Sequence, residues 1–181
     1  LNPKMLACLE RHASPGVQIL ETSRYAAYEE LGPRLIPLDR LPSEKMQRFL
    51  SASDGVPALS FVELLAPEGV PQLQSLVWLG EAKTADGMQM YCRYTDTRIL
   101  PVLLNTLTDD QTAVLAGSIR RWAWVNREGR LNQKIFAETK VVSDEPLPPL
   151  SFEDQQFSSL MQAAEADLIF SMLHESSPEI I

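Results

Sequence analysis

Between residues 88 and 124 the hydrophobic period of the chain changes from two to 3.6 and back, which constrains the fold more than any other stretch. From Met88 to Tyr94 the side chains alternate, with Met88, Met90, Cys92 and Tyr94 on one face and Gln89, Tyr91 and Arg93 on the other. That is the period of a half-buried strand. The alternation stops at Thr95, and Asp96 is suited to an N-cap because its carboxylate can accept backbone N–H groups of the turn that follows. Ile99, Leu103 and Leu107, flanked by Leu100 and Leu104, then form an inward stripe at helical spacing. Pro101 has no N–H and fits best in the first helical turn, so the regular helix begins there after a separate turn or starts with a kink.

A second helix is marked at both ends. Thr108-Asp109-Asp110-Gln111 is a capping box with acidic residues in the first turn, and Gly117 stands where helices commonly stop. Ser118 to Val125 is rich in aliphatic and aromatic residues. Asn126-Arg127-Glu128-Gly129 then reads as a turn into Leu131 to Glu138, which gives a β-hairpin.

The rest of the chain supplies alternating elements. Residues 3–11 read as a short helix and Val17 to Leu20 as a short buried strand. Ser23 is placed to cap a helix through Leu31, which Gly32-Pro33 stops before a strand from Leu35 to Leu38. Ser43 opens another helix with Met46, Phe49 and Leu50 on one face. Ala58 to Leu65 reads as a buried strand, Gly69 to Leu79 as a helix with Leu73, Leu76 and Val77 inward, and Asp86-Gly87 as the turn into the strand at residue 88. The expected class is α/β: a mixed, mostly parallel sheet flanked by helices, an antiparallel hairpin near the end, and a C-terminal amphipathic helix.

The composition break at Glu145-Pro146-Leu147-Pro148-Pro149-Leu150 divides the chain into a body, residues 1–144, and a terminal segment, residues 145–181. After it, Ser151 to Asp154 resembles a capping box. Phe157, Leu160, Met161, Ala164, Leu168, Met172 and Leu173 form an apolar stripe through an acidic helix that is expected to dock on its own domain or to share that stripe with a partner. The charge is distributed unevenly: all 16 Lys and Arg lie within residues 1–140, whereas residues 141–181 carry eight of the 24 acidic residues and no basic one. Such a tail repels phosphates, so nucleic-acid binding is disfavoured, and it suits a basic partner surface as readily as plain solvation.

With 181 residues and 45% hydrophobic content the chain can bury roughly 70% of its unfolded surface without disulfides or metals. Its apolar runs fall short of the roughly 18 residues a membrane helix needs. Cys8 and Cys92, far apart, make no metal spacing and no disulfide framework, which fits a reducing compartment, the cytoplasm by default.

Covalent hydrolysis needs a nucleophile, a base and an orienting group. His12 and His174 neighbour no Ser or Cys in a nucleophile-elbow setting, and the chain has neither a Gly-rich phosphate loop nor a His/Cys cluster. No cofactor and no metal are expected. Arg93, Asp96 and Arg98 are the best polar constellation, open to two readings. They form an anion clamp, since Arg offers a planar fork to carboxylate or phosphate, or Asp96 caps the turn while an Arg neutralises it. The structural reading is the stronger, because losing one partner of a buried pair costs about 3 to 5 kcal/mol. Arg120, Arg121, Trp122 and Trp124 form an Arg/Trp patch of the kind enriched at binding hot spots, with Trp122 and Trp124 on one strand face that is equally suited to core and interface.

Read together, Cys92-Arg93-Tyr94-Thr95-Asp96-Thr97-Arg98-Ile99-Leu100, then Leu107-Thr108-Asp109-Asp110-Gln111, Leu115-Ala116-Gly117 and Arg120-Arg121-Trp122 resemble the signature "FRxYDxRvL … LTxxQxxxLxGxxxxW" of the type VI secretion adaptor, or effector-chaperone, family (Tap or TEC proteins), a domain long catalogued as of unknown function. Upstream, Tyr25-Ala26-Ala27-Tyr28 and Gly32-Pro33-Arg34-Leu35-Ile36-Pro37-Leu38 are similar to the family's "GPwLvpL" strand, and the likeness runs over roughly residues 20 to 175. Thr97 and Arg34 depart from the pattern, which often has Pro and an aromatic at those places. The resemblance implies a non-enzymatic bacterial chaperone in the cytoplasm of the donor cell. Such a protein holds a toxic effector and loads it onto the VgrG trimer or PAAR-type tip of the secretion spike. Candidate contacts are Arg93, Asp96, Arg98, Arg120, Arg121, Trp122 and Trp124, with Phe157, Leu160, Met161 and Leu168 on the acidic helix. The rival expectation is a small enzyme or anion-binding domain using Arg93, Asp96 and Arg98.

Overall fold

The computed structural model describes residues 16–65, 70–137 and 146–176. Its strands are β1 (Val17–Gln18), β2 (Arg34–Leu35), β3 (Ser60–Leu64), β4 (Glu81–Thr84), β5 (Gln89–Tyr91), β6 (Ile119–Val125), β7 (Leu131–Ile135) and β8 (Leu150–Phe152). The α-helices are α1 (Ser43–Ala52), α2 (Val70–Gly80), α3 (Leu100–Thr106), α4 (Asp109–Ala116) and α5 (Asp154–Ser176). The helix expected over residues 3–11 lies outside the described residues, as do His12 and Cys8.

The mixed α/β class, the hairpin and the terminal helix are as expected, but the strand directions are not mostly parallel. Strands pair in three small sheets, ordered β1-β2, β3-β6-β7 and β5-β4-β8. Among the described residues only β4 with β8 is parallel. A parallel pair needs a crossover that brings the chain back beside the first strand. Here α2 runs into β4 without a loop, Gly80 being followed directly by Glu81, so the chain does not return to β3. Instead β3 takes β6 as its neighbour, and β4 turns tightly into β5 through Gly87, whose φ of +86° favours glycine. Gly129, at φ +73°, plays the same part in the turn of the β6–β7 hairpin.

One core joins the layers. Leu76 and Leu79 of α2, Ala82 of β4, Leu100, Leu103 and Leu104 of α3, Leu115 of α4, Ile119 and Trp122 of β6, Leu150 and Phe152 of β8 and Leu160 of α5 are all buried in a single cluster. Tyr94 meets Trp122 edge to face at 5.8 Å between ring centres. The segment after the proline connector is stitched to the body: Trp78 Nε1 donates to Pro148 O at 2.6 Å, β8 lies along β4, and α5 packs on α3.

Several shorter elements differ from expectation: the strand expected from Val17 to Leu20 stops at Gln18, with Ile19–Thr22 a 3₁₀ turn, and the one expected from Met88 to Tyr94 spans Gln89–Tyr91. Residues 26–31 form 3₁₀ turns with a break at Tyr28 instead of an α-helix. So short a segment gains few hydrogen bonds for a costly nucleus, and its start is held elsewhere, Arg24 N donating to Glu81 Oε1 at 2.5 Å. The strand expected to Leu38 ends at Leu35, before Pro37, which lacks the N–H a ladder needs.

Candidate functional site

Asp96 sits at the corner between β5 and α3, 6% exposed. Its Oδ1 accepts the backbone N–H of Arg98 at 3.0 Å and the Arg98 Nε–H at 2.9 Å, and its Oδ2 accepts Arg98 Nη2 at 2.7 Å. Asp96 O accepts the N–H groups of Ile99 and Leu100, so the carboxylate organises a turn that hands over to α3, whose regular part begins at Leu100 with Pro101 in its first turn. Burial raises the Asp96 carboxyl, but the hydrogen bonds from the Arg98 side chain and backbone, with the charges of Arg98 and Arg93, outweigh it and hold the group below the usual carboxylate range. Arg93 stands farther off, 3.5 Å from Asp96 Oδ2, with its side chain 72% exposed.

This corner forms one wall of a cleft of about 500 Å³. Arg93, Thr95, Asp96 and Arg98 face residues of β2, α1, β3 and the connecting segment at 55–59, and the corner is tied to that segment by Thr97 N–H donating to Pro57 O at 3.0 Å. Apolar side chains such as Leu38, Met46, Phe49 and Val56 make up much of the lining, joined by Arg34 and Tyr91. Burial pushes the Tyr91 phenol up to about 12, so it remains a donor at neutral pH. The neighbouring Cys92 thiol is likewise raised by burial to about 12 and stays unreactive as a thiol.

The Arg120/Arg121 pair is explained by a bulge. Glu63 opposes Arg121 while Leu64 opposes Ile119, so Arg120 is the extra residue on β6. The bulge leaves both arginines on the surface beside Glu63: Arg121 Nε and Nη2 lie 2.9 and 2.5 Å from Glu63 Oε2, and Arg120 lies 3.7 Å from Oε1. Trp122 and Trp124 face inward at 1% and 5% exposure, so they belong to the core and present no surface to a partner in this structure. The other face of the hairpin is the open one. There Val125 opposes Leu131 and Arg121 opposes Ile135, with Val125, Leu131 and Ile135 being 44%, 68% and 67% exposed.

On α5 the stripe divides. Leu160 is buried, Phe157 is half-buried and Met161 is exposed; the side chains of Leu168, Met172, Leu173 and His174 are outside the described residues. The start of α5 is wired to the start of α4. Gln156 Oε1 accepts the Glu153 N–H, while its Nε2 donates to Thr106 O and to Gln111 Oε1. Gln111 in turn accepts the Thr108 N–H in its capping box and donates to Ser151 O.

The structure therefore brings Arg93, Asp96 and Arg98 together and places Arg120 and Arg121 on a separate strand with Glu63. Arg34 and Tyr91, which share the cleft, carried no local motif as sites; the one sign in the sequence was that Arg34 stands where the resembled pattern has an aromatic. Among the described residues no three His, Cys, Asp or Glu side chains are grouped to hold a metal ion, and no helix is long and apolar enough to cross a membrane. No curated protein and no solved structure matches the chain. The family model described as a domain of unknown function (DUF4123) matches residues 1–113, from the N-terminal segment through the Asp96 corner into α4, and the chain belongs to that family.

Proposed function

We propose that this protein is a non-enzymatic adaptor that binds a toxic effector and loads it onto the VgrG or PAAR spike of a bacterial type VI secretion system, working in the cytoplasm of the donor cell. The observation that carries the reading is the open face of the β3-β6-β7 sheet. Val125, Leu131 and Ile135 lie in water on the face opposite the core, at a cost of about 25 cal/mol for each Å² of apolar surface. Apolar exposure on one sheet face supports a surface for another protein. Phe61 shares that face of β3 and also lines the cleft, so the two features adjoin. The motif resemblance supplies the identity of the partners.

The test is co-purification with the proteins encoded beside this one, using the wild-type chain and a Leu131→Asp/Ile135→Asp variant. The expected result is recovery of an effector, a VgrG or a PAAR protein with the wild type and its loss with a variant that still melts cooperatively. Recovery of none of these with the wild type overturns the adaptor reading. The anion-binding alternative gains support from Arg93 and Arg98 both lining the cleft, where both Asp96 oxygens are engaged by Arg98.

A further inference from the structure

Among the described residues, three guanidiniums, those of Arg34, Arg93 and Arg98, and one carboxylate, that of Asp96, line the cleft at the Asp96 corner. Arg98 gives both its Nε and Nη2 to Asp96, and Arg93 reaches the same carboxylate only at 3.5 Å. Arg34 has no ion pair among the described residues, and its buried Nε has no acceptor. Gln18, directly opposite Arg34 in the β1–β2 ladder, has its own Oε1 unpartnered, so the two neighbours do not satisfy each other. The Tyr91 hydroxyl is a further buried group of the lining without a partner. Buried donors are seldom left bare in folded proteins, and of the four found among the described residues two, Arg34 Nε and the Tyr91 hydroxyl, belong to side chains that line this cleft, the others being those of Tyr94 and Trp124. Much of the remaining lining, among it Leu38, Met46, Phe49 and Val56, is apolar, and the volume of about 500 Å³ is that of a small-ligand pocket.

We infer that this cleft binds a carboxylate carried on an apolar body, the anion meeting the guanidiniums of Arg34 and Arg93 and the apolar part lying against the α1 side. A planar guanidinium fork matches a carboxylate, and the apolar walls exclude a ligand that is polar throughout. Two sources share this chemistry: the end of an apolar peptide segment of a partner protein, and a free medium-chain fatty carboxylate. The site stands apart from the adaptor reading, whose test concerns the hairpin face.

Calorimetric titration at low salt tests it with four probes: acetyl-Leu-Phe-Leu with a free carboxylate, the same peptide as its amide, octanoate, and octyl phosphate. The expected result is that a carboxylate probe binds and that Arg93→Ala and Arg34→Gln each weaken it about tenfold, the usual scale for a charge-assisted hydrogen bond. Binding of the peptide acid alone identifies a protein segment as the source, and binding of octanoate alone a free carboxylate. The inference is overturned if the amide binds as tightly as the acid, if octyl phosphate binds tighter than either carboxylate, if neither carboxylate binds, or if Arg93→Ala leaves the affinity unchanged. Arg93 is largely exposed, so its variant keeps the test open should Arg34→Gln fail to fold.

Discussion

Asp96 and Glu63 each hold an arginine side chain through two hydrogen bonds, yet their surroundings differ. The Asp96 side chain is 7% exposed and Arg98 31%, whereas Glu63 and Arg121 are 38% and 49% exposed. Coulomb attraction is stronger where water is excluded, and so is the penalty for leaving one charge alone. Asp96 also orders backbone, accepting the Arg98 N–H at the entry to α3, while the Glu63 carboxylate meets the side chains of Arg120 and Arg121. The same chemical pair is thus a structural joint at one place and a solvated surface contact at the other.

The largest expected effect is that of Asp96→Ala, which strands Arg98 and uncaps the turn. We expect a loss of about 3 kcal/mol, read as a shift of the urea midpoint; a loss under about 1 kcal/mol would erase the distinction between the two pairs. Acidification sharpens it. The folded Asp96 carboxyl titrates below the unfolded one, so its contribution is in place above about pH 4 and is lost as pH falls through the lower folded value. Urea midpoints measured from about pH 5 to about pH 2 should therefore fall more steeply for the wild type than for Asp96→Asn.

A third contact extends the comparison to buried neutral groups. Gln156→Ala removes the partner of the Glu153 N–H and leaves Thr106 O and Gln111 Oε1 each short of a donor. A cost of about 1 to 2 kcal/mol is expected in thermal unfolding, with faster amide exchange at both helix starts. The smallest effect belongs to Glu63→Ala, below about 1 kcal/mol and shrinking further with added salt. A larger and salt-insensitive loss would mean that the bulge on β6 depends on that carboxylate.

Local signals in the sequence located the parts of this fold that local chemistry decides. The capping box at Thr108 and Gln111 is present as read, with both reciprocal hydrogen bonds. The turn at Asp96 and the hairpin turn at residues 126–129 are where the capping and turn residues put them, whereas the strand expected to run to Tyr94 ends at Tyr91. β4 escaped notice because Glu-Ala-Lys-Thr turns only Ala82 and Thr84 inward, small residues that make no hydrophobic alternation. β8 was hidden by the prolines before it and by Ser151, which reads as a helix cap but lies in the strand. The cleft was illegible for a different reason. Arg34 and Arg93 come from distant parts of the chain, and no spacing rule joins them before β1–β2 and the Asp96 corner are folded against each other.

The parallel pairing of β8 with β4 bears on how the protein is made. Leu150 meets Ala82 only after the whole hairpin and the proline connector have been synthesised. A chain emerging from the ribosome at about 5 to 20 residues per second carries one bare edge of β4 for several seconds. During that interval the unpaired ladder invites association with other nascent strands. Emergence of β8 is thus the step that closes the sheet, and a premature stop at the connector would produce a body with an open seam.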